Sequence, residues 1–135
     1  MFYLTPNDFA LLAQKAARMH FYAGEVLIYE GTAPKQVFFL QEGAVTVSHN
    51  GAIVAFLKAG EVCGEMAFLE QRPASATVVA KELVTALAIS VRDLQDIFET
   101  FPHLGARFYR SLAITLSKRL RSTTDLVATR ELATA

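Results

Sequence analysis

The chain has 135 residues, of which 53% are apolar and 19% charged, with 13 basic and 13 acidic side chains. That is enough apolar material for one domain with its own core, and it excludes a disordered or low-complexity chain. No apolar stretch approaches the length of a membrane span, no basic segment leads into an apolar run at the N-terminus, and the single Cys63 excludes an internal disulfide, so a soluble cytoplasmic protein is expected.

Taken in chain order, Thr5-Pro6 followed by Asp8 reads as a helix start: Thr caps free amides, Pro suits the first turn and Asp complements the dipole. A helix is expected from about Pro6 to Arg18. From Phe21 to Ser90 short β-branched and aromatic runs alternate with Gly, Pro and Asn, a pattern of many short strands that points to a small jelly roll or barrel. Asn50-Gly51, between AVTVSH and AIVAF, is the clearest hairpin turn, because both central positions of a type I′ turn need positive φ. Ser90 with Asp93 resembles a capping box and starts a helix of about ten residues ending near Thr100. Pro102 then opens a long helix, from about His103 to Leu132.

That last helix is longer than a small domain needs for its own core. Ala113, Leu116, Leu120, Thr123 and Val127 recur at spacings of three and four, a stripe suited either to a partner helix or to the chain's own barrel. It is also basic: residues 104–135 carry six Lys/Arg against two Asp/Glu, whereas residues 1–103 carry seven against eleven. A solvated face whose cations complement the C-terminal dipole is preferred over a nucleic-acid surface, which needs a dense basic face and a reading element.

The segment from Gly60 to Val79, GEVCGEMAFLEQRPASATVV, carries the most chemistry. A glycine turn precedes Gly64-Glu65, which opens a short helical turn whose amides suit an anion. A carboxylate there, Glu65, makes sense beside a phosphate as an acceptor for a sugar hydroxyl. This stretch resembles the phosphate-binding cassette of the cyclic nucleotide-binding domains, the sensor modules of catabolite-activator-type regulators, cyclic-nucleotide-dependent kinases and gated channels. Gly64 and Glu65 match the family's Gly-Glu, with Met66 next and Ala67 as the small residue; Ser75, Ala76, Thr77 and Val78 match the tail of the pattern. Gly24, Gly31, Gly43 and Gly60 fall where the family's strands turn, and the match runs from about Leu4 to Val127.

The resemblance implies a mainly β fold with flanking helices: a β jelly roll (double-stranded β-helix) with an N-terminal helix and two C-terminal helices. The chain would then be one domain over 1–135, with the N-terminal helix in 1–20, the roll in 21–90, the cassette in 60–79 and the C-terminal helices in 91–135. It also implies that Glu65 accepts from a ribose 2′-hydroxyl and that Ser75 touches the cyclic phosphate or the purine, although a loop Ser satisfied by backbone is the plainer reading. Thr123 and Thr124 correspond to a hydroxyl pair that reads the adenine edge across a dimer seam in the bacterial activator; paired surface threonines are the alternative.

One departure stands out. The position of the family's phosphate-pairing Arg is Ala74. Losing one member of a buried charge-assisted pair costs about 2 to 5 kcal/mol in binding. Arg72 is the only nearby rescue: if the loop is extended there, positions 72 and 74 point to the same side, the alternative being an ordinary solvated Arg.

His20, His49 and His103 show no metal spacing, Cys63 reads as a small buried filler, and neither a nucleophile elbow nor paired carboxylates occur, so no metal, no cofactor and no catalytic residues are expected. The expected function is a ligand-sensing regulatory module of the cyclic nucleotide-binding type, binding cyclic AMP, cyclic GMP or a related nucleotide weakly or not at all because the cassette Arg is missing, with a homodimer through the last helix and no direct DNA binding by this chain. The alternative is a degenerate domain used for dimerisation or protein docking.

Overall fold

The computed structural model describes residues 3–134, with side chains described as far as Arg121. The chain runs α1 (Pro6–Lys15), β1 (Ala17–Phe21), β2 (Val26–Ile28), β3 (Gln36–Glu42), β4 (Ala44–His49), β5 (Ala52–Lys58), β6 (Val62–Cys63), α2 (Glu65–Glu70), β7 (Thr77–Ala80), β8 (Val84–Ser90), α3 (Val91–Thr100) and α4 (Pro102–Thr134). The strands form two four-stranded antiparallel sheets, β1-β8-β3-β6 and β2-β7-β4-β5, faced as a roll with helices outside the first. The expected mainly β roll with an N-terminal helix and two C-terminal helices is the fold observed, with α2 as a short fourth helix inside the cassette.

Strand β3 explains the layering. Its QVFFLQE run is apolar without alternation because both faces are covered. Phe38 and Leu40 point between the sheets, into a core shared with Val45, Leu57, Val78 and Val84. Val37 and Phe39 point the other way, into a second core with Leu12, Phe68, Leu94, Leu104 and Phe108 from the four helices. The cassette helix therefore packs in the same core as α3 and α4.

Local chemistry accounts for most boundaries. Thr5 Oγ1 accepts the Asp8 amide at 3.1 Å and Asp8 Oδ2 accepts the Thr5 amide at 2.9 Å, a reciprocal cap on α1. Ser90 Oγ accepts the Asp93 amide at 3.0 Å and starts α3. Asn50 and Gly51 adopt φ of 51° and 82° between β4 and β5, as the hairpin requires.

The first helix is shorter than its sequence suggests. It stops at Lys15, and Ala17–Phe21, expected to lie partly in the helix, forms β1 instead. The reason is tertiary: β1 pairs residue for residue with β8, from Ala17 opposite Ala88 to Phe21 opposite Val84. Such pairing, with Phe21 buried, outweighs the helix propensity of Arg18 and Met19.

Asp8 does more than cap. Its side chain is 1% exposed and receives two bonds from Arg107 of α4, at 2.6 and 2.7 Å, which tie α1 to the start of α4. The Arg107 hydrogen bond holds the Asp8 carboxyl down at about 2, against the opposing effect of burial. Because the folded pKa is depressed, this stabilisation is complete above the unfolded value near 3.8 and is lost as pH falls towards 2. Asp8→Ala removes both the cap and the pair and is expected to cost about 3 kcal/mol at pH 7. In urea titrations the difference between variant and native chain shrinks as the pH is lowered from 5 to 2.

Candidate ligand site

The cassette begins where β6, paired to β3 through Cys63 and Phe38, runs out. Gly64 turns the chain with φ +86°, and a Cβ there would stand 3.1 Å from the Gln36 carbonyl and 3.2 Å from Ile28 Cδ1, so glycine is needed for both angle and space. Helix α2 follows and closes at Gln71, itself in the left-handed region, whose amide donates to the Ala67 carbonyl at 2.8 Å. At six residues α2 aligns few peptide dipoles, so its N-terminus contributes less to anion binding than a longer helix would.

The chain then returns past an exposed Arg72 to Ala74, which is pinned on both sides. Its amide donates to the Thr32 carbonyl and its carbonyl accepts from the Gly31 amide, each at 2.8 Å. The Glu30 amide donates to Thr77 Oγ1 at 3.0 Å, at the first residue of β7. The cassette tail is thus laid along the loop that follows β2.

These segments enclose a cavity of about 140 Å³. Gly64, Glu65, Met66, Ala67, Ala74 and Ser75 all line it, so six of the nine residues expected at the site come together. Apolar walls come from Ile28, Val47, Leu57 and Val78 of the roll. Arg72 is exposed and is not among the lining residues. Thr123 and Thr124 lie on α4, but their side chains fall outside the described residues.

The lining contains a residue the sequence did not single out. Arg119, from α4, reaches the cavity opposite the cassette and lies 3.5 Å from Glu61 Oε1. The available signal was its spacing: Arg119 precedes Thr123 by one helical turn and shares its face. Glu65 is 7% exposed. Burial raises its carboxyl above the usual range; a hydrogen bond from its own amide and the charge of Arg119 pull the other way, and Glu61 adds to the rise. Glu65 and Arg119 also border a second space of about 400 Å³ between the turn after β5 and α4. A buried acceptor and a guanidinium lining one largely apolar pocket can orient a ligand that has both a hydroxyl and an anionic group.

Comparison with known proteins places this geometry. Residues 18–101 match the model of the cyclic nucleotide-binding domain. The chain is 33% identical over 118 residues to Glutaminase 2 of Bradyrhizobium diazoefficiens, covering 87% of this chain and 19% of that protein. It is 34% identical over 106 residues to the Pycsar effector protein XpPycTIR of Xanthomonas perforans, covering 78% and 34% respectively. Among solved structures, the catabolite activator protein of Thermus thermophilus superposes with a TM-score of 0.73 at 27% identity, over 93% of this chain and 61% of that one. The chain belongs to the cyclic nucleotide-binding domain family. It spans between about a fifth and a third of the length of these two curated relatives. The family is a regulatory one, and among the described residues no helix is long and apolar enough to cross a membrane.

Proposed function

We propose that this domain senses cyclic AMP or cyclic GMP weakly, with the ligand held between the cassette and α4 and the signal carried by α4. The observation that carries this reading is the shared cavity, in which six cassette residues face Arg119 of α4. Glu65 takes the sugar hydroxyl, Ser75 serves the phosphate edge, and Arg119 supplies the cation that position 74 lacks. Because Arg119 comes from α4 rather than from the cassette, a bound anion attracts the helix directly. A ligand shifts that helix only by the difference in its affinity for the two helix positions. No catalytic step is assigned to the domain, and we infer a cytoplasmic setting from its single, buried, unpaired Cys63.

Calorimetric titration with each nucleotide into the millimolar range tests the reading. Native chain is expected to bind with a dissociation constant on the order of 1 mM, the weakening that follows from an absent charge-assisted pair. Arg119→Ala and Glu65→Gln are each expected to lose binding by about tenfold, a single hydrogen bond to a charged group. Equal binding by native chain and both variants would remove these residues from the site.

A second reading is supported by the outer face of α4, where Tyr109, Ala113, Leu116 and Leu120 are exposed at spacings of four, three and four. On that reading the domain is a homodimerisation or docking unit through α4, and binds no nucleotide. Sedimentation of the native chain with and without nucleotide separates the two: a dimer indifferent to ligand favours the second. DNA contact, in either case, is left to other parts of an assembly.

A further inference from the structure

One residue outside the cassette grips the part of it that forms the cavity wall. His49, the last residue of β4, brings Nδ1 to 2.8 Å from the Ser75 carbonyl oxygen and into an ion pair with Glu30. Asn50, next along the hairpin, donates its amide to the other Glu30 oxygen at 3.4 Å. Three segments distant in sequence therefore meet at one imidazole: the loop after β2, the β4–β5 hairpin and the cassette tail. Ser75 is itself a lining residue of the cavity, as is Ala76.

We propose that His49 is a positioning residue for the ligand cavity: as an imidazolium it holds the Ser75 carbonyl and the Glu30 carboxylate together, and loss of its proton loosens the cassette tail from the roll. A trans peptide is rigid and planar, so fixing the Ser75 carbonyl also fixes the direction of the Ala76 amide, which points the opposite way. The grip thus sets the orientation of a peptide in the cavity wall, not merely a surface contact.

The proton matters because a charged donor makes hydrogen bonds roughly twice as strong as a neutral one. The groups that meet the ring are Glu30 from the loop after β2, the neutral Ser75 carbonyl from the cassette tail and the neutral Asn50 side chain from the hairpin. Asn50 Nδ2 is 3.3 Å from Nε2 and serves either state, donating to the neutral ring or, flipped, accepting from the charged one. The Ser75 carbonyl, followed by the Glu30 carboxylate, raises the His49 pKa above its ordinary value. With the folded value raised, the grip is complete below the ordinary histidine pKa and is released as pH rises through the higher, folded value.

The consequence for affinity rests on the cavity being the ligand site; the grip itself is tested without ligand. Hydrogen exchange of the amides of residues 74–77 is measured in the native chain from pH 5.5 to 8.5, corrected for intrinsic exchange, alongside an NMR titration of the His49 ring. Protection is expected to fall by about three- to tenfold across the His49 titration, the difference between a charge-assisted and a neutral bond. Glu30→Gln is expected to move the midpoint of both curves to lower pH together, and His49→Gln to abolish the step. Protection that ignores pH in the native chain, or a step that survives in His49→Gln, overturns the proposal. Failure to bind nucleotide leaves this result untouched, so the two readings fail separately.

Discussion

Ala74→Arg is expected to convert a millimolar response to cyclic nucleotide into a micromolar one. Ala74 lines the cavity, is half-buried, and has both its backbone groups bonded to the loop after β2, so a longer side chain starts from a fixed position facing the pocket. A buried guanidinium paired with a phosphate is worth about 2 to 5 kcal/mol, or roughly 30- to 5,000-fold in affinity. With 1 mM ligand and a dissociation constant near 10 μM, the folded state gains about 2.7 kcal/mol. For a chain of this size that is a rise in melting temperature of about 10 °C. Thermal unfolding of native and variant chains, each titrated with cyclic AMP and cyclic GMP, gives the answer directly. A shift in the variant alone means the pocket is intact and disarmed by Ala74. Equal shifts mean that Arg119 or backbone amides already do the work of the missing arginine. No shift in either chain favours the docking reading.

Phe108→Ala is expected to be strongly destabilising, at about 3 to 5 kcal/mol. Phe108 is fully buried and its ring centroid lies 5.0 Å from Phe98, 5.8 Å from Tyr109, 6.1 Å from Phe39 and 6.4 Å from Phe68. Those rings belong to α3, α4, β3 and α2, so one side chain joins the cassette helix to the roll and to both later helices. Removing it leaves a void bordered by rigid rings, which close in poorly. Against a typical total of about 5 to 15 kcal/mol the loss is large, and urea unfolding should show a lower midpoint with an unchanged slope. Val54→Ala, a change at an exposed side chain on the edge strand β5, serves as the control and is expected to fall within about 0.5 kcal/mol of native. A cost for Phe108→Ala below about 1.5 kcal/mol would mean that the cluster repacks and that α2 and α4 are not coupled through this ring.

Nucleotide sensing as proposed above depends on that coupling. Phe68 lies on the helix that opens with Glu65, and Phe108 lies three turns before Arg119 on α4. The same two elements therefore share a core at one end and a ligand cavity at the other. A ligand that draws Arg119 towards the cassette acts on a helix whose base is anchored by Phe108 and by the Asp8–Arg107 pair.

The caps, turns and cassette were legible in the sequence because their physics is local. Thr5 with Asp8, Ser90 with Asp93 and Asn50 with Gly51 each act within three residues: the first forms a reciprocal cap, the second a one-way cap from Ser90, and the third the hairpin turn. The family resemblance went further, since glycine spacing and the Gly64-Glu65 pair correctly implied a roll with a cassette. What escaped was every contact that depends on long-range closure. The end of α1 was misplaced because β8, some seventy residues later, recruits Ala17–Phe21 into a sheet. Arg119 lines the cavity from α4, which no spacing within the cassette indicates. The role of His49 was invisible because Glu30 and Ser75 lie 19 and 26 residues away from it.

By itself the sequence determined where elements start, which turns need glycine, that the fold is a β-roll of the cyclic nucleotide-binding family, and that position 74 has no charge. Only the tertiary structure decided which groups meet: Arg119 with Glu61 at the cavity, His49 with Ser75, Asp8 with Arg107. The reason is physical. A cap or turn is a property of a few consecutive dihedral angles, whereas a side chain reaches a distant partner only after the sheets and helices that carry both have packed.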